Sequence, residues 1–307
     1  MPLLEVDGLS VAFASYTGRF KRTAVPVLHN MNLDVNPGEI VAVIGSSGSG
    51  KSLLAHAILG ILPGNATVTG TIRYDGEHLA PHRIEALRGR EIALVPQSVG
   101  FLNPFMRAGA QVRSAVRGGD PAAEQRKAFE RYRLGREAEP LFPHQLSGGM
   151  ARRVLVSMAT VSGARLLVAD EPTPGLDPAV VRETVAQLRE LADGDAAVLL
   201  ISHDLESALQ AADRVAVFYA GTTVEIAPAA DFAGDGSRLR HPYSRALWKA
   251  LPQNGFEPLP GRQPSPGELP EGCVFAPRCE NATAACAAER PVMRTVRGGK
   301  VGCVHAT

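Results

Sequence analysis

The chain has 307 residues, of which 45% are hydrophobic and 21% charged, and its 32 basic and 31 acidic residues leave a formal net charge of +1. That balance suits a globular protein with a sizeable core and excludes a strongly basic surface for nucleic acid or anionic lipid. No apolar run reaches the about 20 residues of a membrane helix, and the opening Met-Pro-Leu-Leu-Glu-Val-Asp lacks the regions of a secretory leader; the expected location is the cytosol, with any membrane association made through a partner.

Strand-like alternation opens the chain at Leu4–Phe13 and returns at Val25–Val35, closed by the turn Asn36-Pro37-Gly38. Ile40–Ile44 is a continuous apolar run, as expected of a strand buried on both faces. Gly50–Leu62 is expected to be a helix, Val68–Tyr74 an edge strand before the turn Asp75-Gly76, and Ile92–Val95 another short strand. From Ser98 to Gln145 the pattern is helical and charged, broken by Pro104, Pro121, Pro140 and Pro143, which suggests a small helical insertion. Then come a helix at Leu146–Val161, a buried strand at Leu166–Ala169, a helix at Ala179–Ala192 and a buried strand at Ala197–Ile201. Arg214–Val217 and Thr223–Ile226 flank an Ala-Gly turn and read as a hairpin. This alternation predicts an α/β fold with a mostly parallel sheet. Composition changes near residue 228: Asp231–Arg240 is polar, His241–Leu251 a short helix, Pro252–Pro270 a proline-rich linker, and 271–307 a cysteine segment.

Three motifs carry chemistry. Gly45-Ser46-Ser47-Gly48-Ser49-Gly50-Lys51-Ser52 fits G-x-x-x-x-G-K-[ST] at every fixed position, between a strand and a helix. Its glycines let backbone N–H groups turn around a polyphosphate, the helix presents its positive end there, Lys51 reaches the β- and γ-phosphates, and Ser52 ligates Mg²⁺. These residues imply a bound nucleoside triphosphate. Leu166–Ala169 carries Asp170 and Glu171 to a strand's carboxyl end, where ligands sit in open α/β sheets; Asp170 is suited to hold Mg²⁺ and Glu171 to polarise the attacking water. Leu146-Ser147-Gly148-Gly149-Met150 sets a hydroxyl and bare N–H groups at a helix start, an anion site.

Together these motifs resemble those of the ATP-binding-cassette ATPases. The resemblance covers residues 3–228 and implies a P-loop NTPase domain at 1–228 with an antiparallel β subdomain and a helical subdomain at about 98–160. It implies that Ser147, Gly148 and Gly149 meet the γ-phosphate held by another subunit, although Met150 stands where Gln is commonest. Gln97 resembles the glutamine that touches Mg²⁺ and water and couples to the helical insertion. Asp177, in Gly175-Leu176-Asp177, resembles a residue at the dimer seam, and His203 the histidine that orients the water. The aromatic that stacks on adenine is Tyr16 or Phe13.

Leu102-Asn103-Pro104 with Gly109 and Gln111, and His241-Pro242-Tyr243, are similar to segments of the peptide/nickel importer subfamily, whose C-terminal extension 229–307 resembles. All four cysteines lie in the last 35 residues, at 273, 279, 286 and 303. Their x5, x6, x16 spacing lacks the close pairs of zinc ribbons. The resemblance implies that Cys273, Cys279, Cys286 and Cys303 hold a [4Fe-4S] cluster; zinc, free thiols or a disulfide remain open, with His305 as a bystander. The expected role is the ATP-hydrolysing subunit of a bacterial importer of di- or oligopeptides, or alternatively of nickel or a metal chelate. It would sit on the cytoplasmic side of the inner membrane, paired head-to-tail with itself or a paralogue, against two permease subunits served by a substrate-binding protein, without nucleic acid. Other readings are a cassette ATPase of translation or DNA maintenance and a redox or metal sensor; one P-loop and the absence of long coiled coils weigh against the first.

Overall fold

The computed structural model describes residues 1–17 and 21–307; the side chains of residues 16, 17, 21 and 22 lie outside the description. The strands, in chain order, are β1 (Leu4–Thr17), β2 (Lys21–Val35), β3 (Ile40–Gly45), β4 (Ala66–Tyr74), β5 (Glu77–His78), β6 (Ile92–Val95), β7 (Leu166–Asp170), β8 (Ala197–Ser202), β9 (Arg214–Tyr219), β10 (Thr222–Pro228), β11 (Arg294–Val296) and β12 (Gly299–Val301). The helices are α1 (Lys51–Ile58), α2 (Pro81–Leu87), α3 (Ala108–Ala115), α4 (Pro121–Arg131), α5 (Gly148–Thr160), α6 (Pro178–Asp193), α7 (Leu205–Leu209), α8 (Pro242–Lys249) and α9 (Ala284–Ala288).

Among the described residues the strands form two sheets. The larger runs β11-β12-β10-β9-β3-β8-β7-β6, parallel from β9 through β6 and antiparallel at the other end. Every residue of β3 and β8 is buried, which their unbroken apolar runs require of strands covered on both faces. The smaller sheet, β2-β1-β4-β5, is antiparallel. One core lies between the two sheets with α1, and the other on the opposite face of the large sheet beneath α5, α6 and α7. The helical insertion has a core of its own, built on Leu102, Val112, Phe129, Val154 and Leu155.

Several sequence expectations change. β4 is interior, paired with β1 on one side and with the two-residue β5 on the other. α1 ends at Ile58, because Gly60 adopts a left-handed φ of 61° and Pro63 follows. α5 begins at Gly148, capped by the Ser147 hydroxyl, which accepts from Met150 N–H at 3.2 Å. α2 and α7 carry too few apolar positions to be read as helices from the sequence. Beyond residue 228 the chain returns to the main sheet, where β12 pairs with β10.

That return is fixed by a buried ionic cluster. Arg240 Nη1 meets Glu225 at 3.3 Å and Asp231 at 2.8 Å, with all three side chains at most 1% exposed. Arg240 Nε also donates to the Val296 carbonyl at 2.6 Å, tying β11 to the helix-bearing segment. Removing one partner of such a cluster strands charge in the interior. Arg240→Ala is therefore expected to destabilise the fold by about 3 kcal/mol, seen as a lower urea midpoint; an unchanged midpoint would contradict this.

Candidate functional site

The loop after β3 is shaped by close approach. A Cβ on Gly45 would stand 2.2 Å from the Phe218 carbonyl oxygen, and one on Gly50, at φ 94°, 2.2 Å from Leu28 Cδ2. Only glycine lets the chain turn there. The turn aims two carbonyls at one ammonium: Lys51 Nζ donates to Gly45 O at 2.8 Å and to Ser46 O at 3.1 Å. Burial lowers the Lys51 pKa, opposed by the charges of Glu171 and Asp170.

Ser47, Gly48, Gly50, Lys51, Ser52, Gln97, Glu171 and His203 line one cleft with Val27 and Leu53. β7 brings Asp170 beneath it, and the Ser52 hydroxyl donates to Asp170 Oδ1 at 3.1 Å. Ser52 and Asp170 thus stand together as oxygen donors of the kind a Mg²⁺ ion takes. Burial raises the Asp170 pKa; the Ser52 hydrogen bond opposes this and the Glu171 charge adds to it. Ser49 is fully buried, and its Oγ is 2.9 Å from where a Gly45 Cβ would lie.

Glu171 adopts φ 51°, a left-handed conformation rare outside glycine. Its N–H donates to Ile201 O at 2.9 Å, and its Oε2 lies 2.6 Å from His203 Nδ1. The carboxylate is 8% exposed and the imidazole 63%, so the histidine side faces the open cleft. Arg152, from α5, is a residue the sequence reading missed. It is 9% exposed, and its Nη1 donates to Pro96 O at 3.2 Å and Glu171 O at 2.9 Å, bracing the backbone beside Gln97 and at Glu171. Nothing in its local sequence separates it from the neighbouring Arg153.

Other expected residues stand apart. Ser147 and Gly148 are exposed at the tip of α5, away from the cleft, and Gly149 lies beside Gly175. Asp177 caps α6, accepting from Ala179 and Val180 N–H, both at 3.1 Å. Phe13 packs against the core between the sheets, while Val27 walls the cleft; the Tyr16 side chain lies outside the described residues.

The four cysteines are unpaired thiols. They line one small cavity with His241, Phe275, Pro291 and His305. Burial raises the pKa of the Cys273 and Cys279 thiols. His305 Nε2 lies 3.4 Å from Cys286 Sγ, beside the donor set and not remote from it. The thiols converge on one space, yet among the described residues no three His, Cys, Asp or Glu side chains are grouped tightly enough to hold a metal ion.

A family profile described as ABC transporter matches residues 28–174, and one described as oligopeptide/dipeptide transporter, C-terminal region, matches residues 224–286. The dipeptide transport ATP-binding protein DppD of Escherichia coli K12 is 34% identical over 329 residues, covering 99% of this chain and 97% of its own. The chain belongs to the ABC transporter ATPases. The oligopeptide transport ATP-binding protein OppD of Salmonella typhimurium LT2 is also 34% identical, over 92% of this chain and 88% of its own. An ATP-binding subunit of an ABC transporter has a similar structure, with a TM-score of 0.61 at 27% identity over 75% of this chain and 91% of that one. A bacterial ABC transporter cassette solved as a dimer shares the fold, with a TM-score of 0.65 at 23% identity over 74% of this chain and 98% of that one. The β3 loop, the carboxyl end of β7 and the tip of α5 are thus parts of an ABC ATPase, an ATP hydrolase.

The raised Asp170 pKa has a consequence for this ATPase. Folding favours the protonated carboxyl, so the ionised form costs stability above the raised pKa, and the cost disappears as pH falls through it. Asp170→Asn is expected to raise the melting temperature of the nucleotide-free protein at neutral pH, with the gain shrinking in the acid range, while Mg²⁺-dependent ATP binding is lost. Thermal scans across pH check the first outcome and titration with Mg·ATP the second.

Proposed function

We propose that this chain energises uptake of di- or oligopeptides, as the ATPase subunit bound to two permease subunits on the cytoplasmic side of a bacterial inner membrane. The observation that carries this reading is the match to a dipeptide transport ATP-binding protein along 99% of the chain, its C-terminal region included. Both relatives named above have peptide cargo in their names, which favours peptides over nickel. Among the described residues no helix is long and apolar enough to cross a membrane.

In this mechanism the phosphates of ATP enter the cleft and replace the Gly45 and Ser46 carbonyls as partners of Lys51. Asp170 and Ser52, with Gln97 on the same cleft, would hold Mg²⁺, which would neutralise charge on the phosphates. Glu171 accepts the proton of the attacking water as that water adds to the γ-phosphorus and the bond to the ADP oxygen breaks, giving ADP and phosphate. His203, hydrogen-bonded to Glu171, orients that carboxylate and the water. A single chain leaves the far side of the γ-phosphate open, because Ser147, Gly148 and Gly149 lie elsewhere. The α5 tip of a second subunit, a copy or a paralogue in head-to-tail arrangement, supplies those donors, with Asp177 near the seam. Phosphate release opens the pair.

Cys273, Cys279, Cys286 and Cys303 line one cavity, a donor set of the chemistry that a [4Fe-4S] cluster or, as the alternative, zinc takes once the four sulfurs draw closer than they stand here. Once bound, the group would cross-link the tail and stabilise it. Anaerobic purification is expected to give about four iron and four sulfide per chain if it is a cluster; a colourless, zinc-loaded protein would overturn that assignment.

Glu171→Gln is expected to cut turnover by about 100-fold or more and to trap an ATP-bound pair, read as a doubled mass in sedimentation with Mg·ATP, alone or mixed with a paralogous ATPase. Wild-type turnover in that variant would remove Glu171 as the base, and a strictly single chain in both mixtures would remove the shared site.

A further inference from the structure

The proline-rich segment reaches back to the phosphate loop. Gln263 Oε1 accepts two hydrogen bonds, from the Ser46 hydroxyl at 2.6 Å and from Ala220 N–H at 3.1 Å. The second donor fixes the identity of the atom, since a backbone N–H can only donate and so must face the amide oxygen. Ala220, with φ 48°, opens the turn between β9 and β10. A Cβ on the adjoining Gly221 would stand 2.1 Å from the carbonyl oxygen of Val27, a wall of the nucleotide cleft. One side chain from the tail therefore joins the loop that holds Lys51 to the turn that backs the cleft.

The segment bearing Gln263 is itself anchored. Arg278, inside the Cys273–Cys279 loop, donates from Nε to Pro260 O at 2.9 Å and from Nη2 to Leu259 O at 3.1 Å. Its Nη1 reaches Tyr219 Oη at 3.2 Å, one residue before Ala220. Tyr243, from α8, packs its ring 4.5 Å from that of Tyr219. Ser46 is thus held by its side chain to the tail while its carbonyl oxygen carries Lys51 Nζ.

We propose that Gln263 is a positioning residue of the phosphate loop: by fixing Ser46 it fixes the loop backbone that receives the phosphates, so the C-terminal tail sets nucleotide affinity. This rests on the reading of Gly45–Ser52 as the nucleotide grip. A loop held in its binding conformation loses less freedom when the phosphates arrive, and one hydrogen bond of this kind is worth about fivefold in affinity.

The test is Gln263→Met in the full chain, which keeps side-chain length and removes the acceptor. Titration calorimetry with Mg·ADP should give a dissociation constant about five times that of wild type, while the nucleotide-free variant keeps a single cooperative melting transition, lowered by the loss of the Ala220 N–H partner. Ser46→Ala should also weaken binding, and the double variant no more than Gln263→Met alone, because both remove the Ser46–Gln263 bond. Wild-type affinity in Gln263→Met, or single effects that add in the double variant, overturns the proposal. Failure of the underlying reading looks different: Mg·ADP would then not bind wild type, or would bind Lys51→Ala equally well.

Discussion

A buried ammonium sits across from two buried carboxylates at the carboxyl edge of the parallel strands, and the rest of the site is arranged around that concentration of charge. Lys51 is held by the carbonyls of Gly45 and Ser46, oxygens that can face it only because the loop is built from glycine where a Cβ would strike Phe218 or Leu28. Asp170, the last residue of β7, and Glu171 just past it arrive two strands over from β3, close enough to offset part of the desolvation of Lys51. Burial raises the cost of charge on Asp170 and Lys51 alike. A triphosphate with its magnesium ion brings the complementary charges, which makes the site receptive to that class of ligand.

The parallel sheet is what delivers these groups to one edge. β3 lies between β8 and β9, and β7 lies beside β8, so the phosphate loop, the Asp170-Glu171 pair and His203 all leave strands at the same end. Glu171 reaches its position only with a left-handed backbone, a conformation that costs about 1–3 kcal/mol and that the surrounding bonds must hold. Ile201 O, Arg152 and the hydrogen bond to His203 do so. Arg152 comes from α5, so the helix whose tip carries Ser147 also braces the proposed base of its own chain.

What could be read from the amino-acid sequence follows a physical division. Strands buried on both faces announce themselves by unbroken apolar runs, as at Ile40–Ile44 and Ala197–Ile201, and the P-loop spacing is constrained enough to be recognised outright. Elements stabilised by tertiary contact left little local trace: α2, the two-residue β5, and the β11–β12 hairpin that rejoins the main sheet. Phe13 has the aromatic character and approximate position of a base-stacking residue, but its strand register turns it to the core. Arg152 and Gln263 were illegible because their partners are backbone atoms or residues far along the chain. The proline-rich stretch looked like a spacer, yet it is anchored through Arg278 and touches the phosphate loop.

The central claim is that Lys51, placed by a glycine-built turn, grips the phosphates of a nucleotide. Calorimetric titration of Mg·ATP into Glu171→Gln protein, with Lys51 intact and with Lys51→Ala, tests it most directly. Removal of the ammonium is expected to weaken binding at least about thirtyfold; equal affinity in the two proteins would contradict the account.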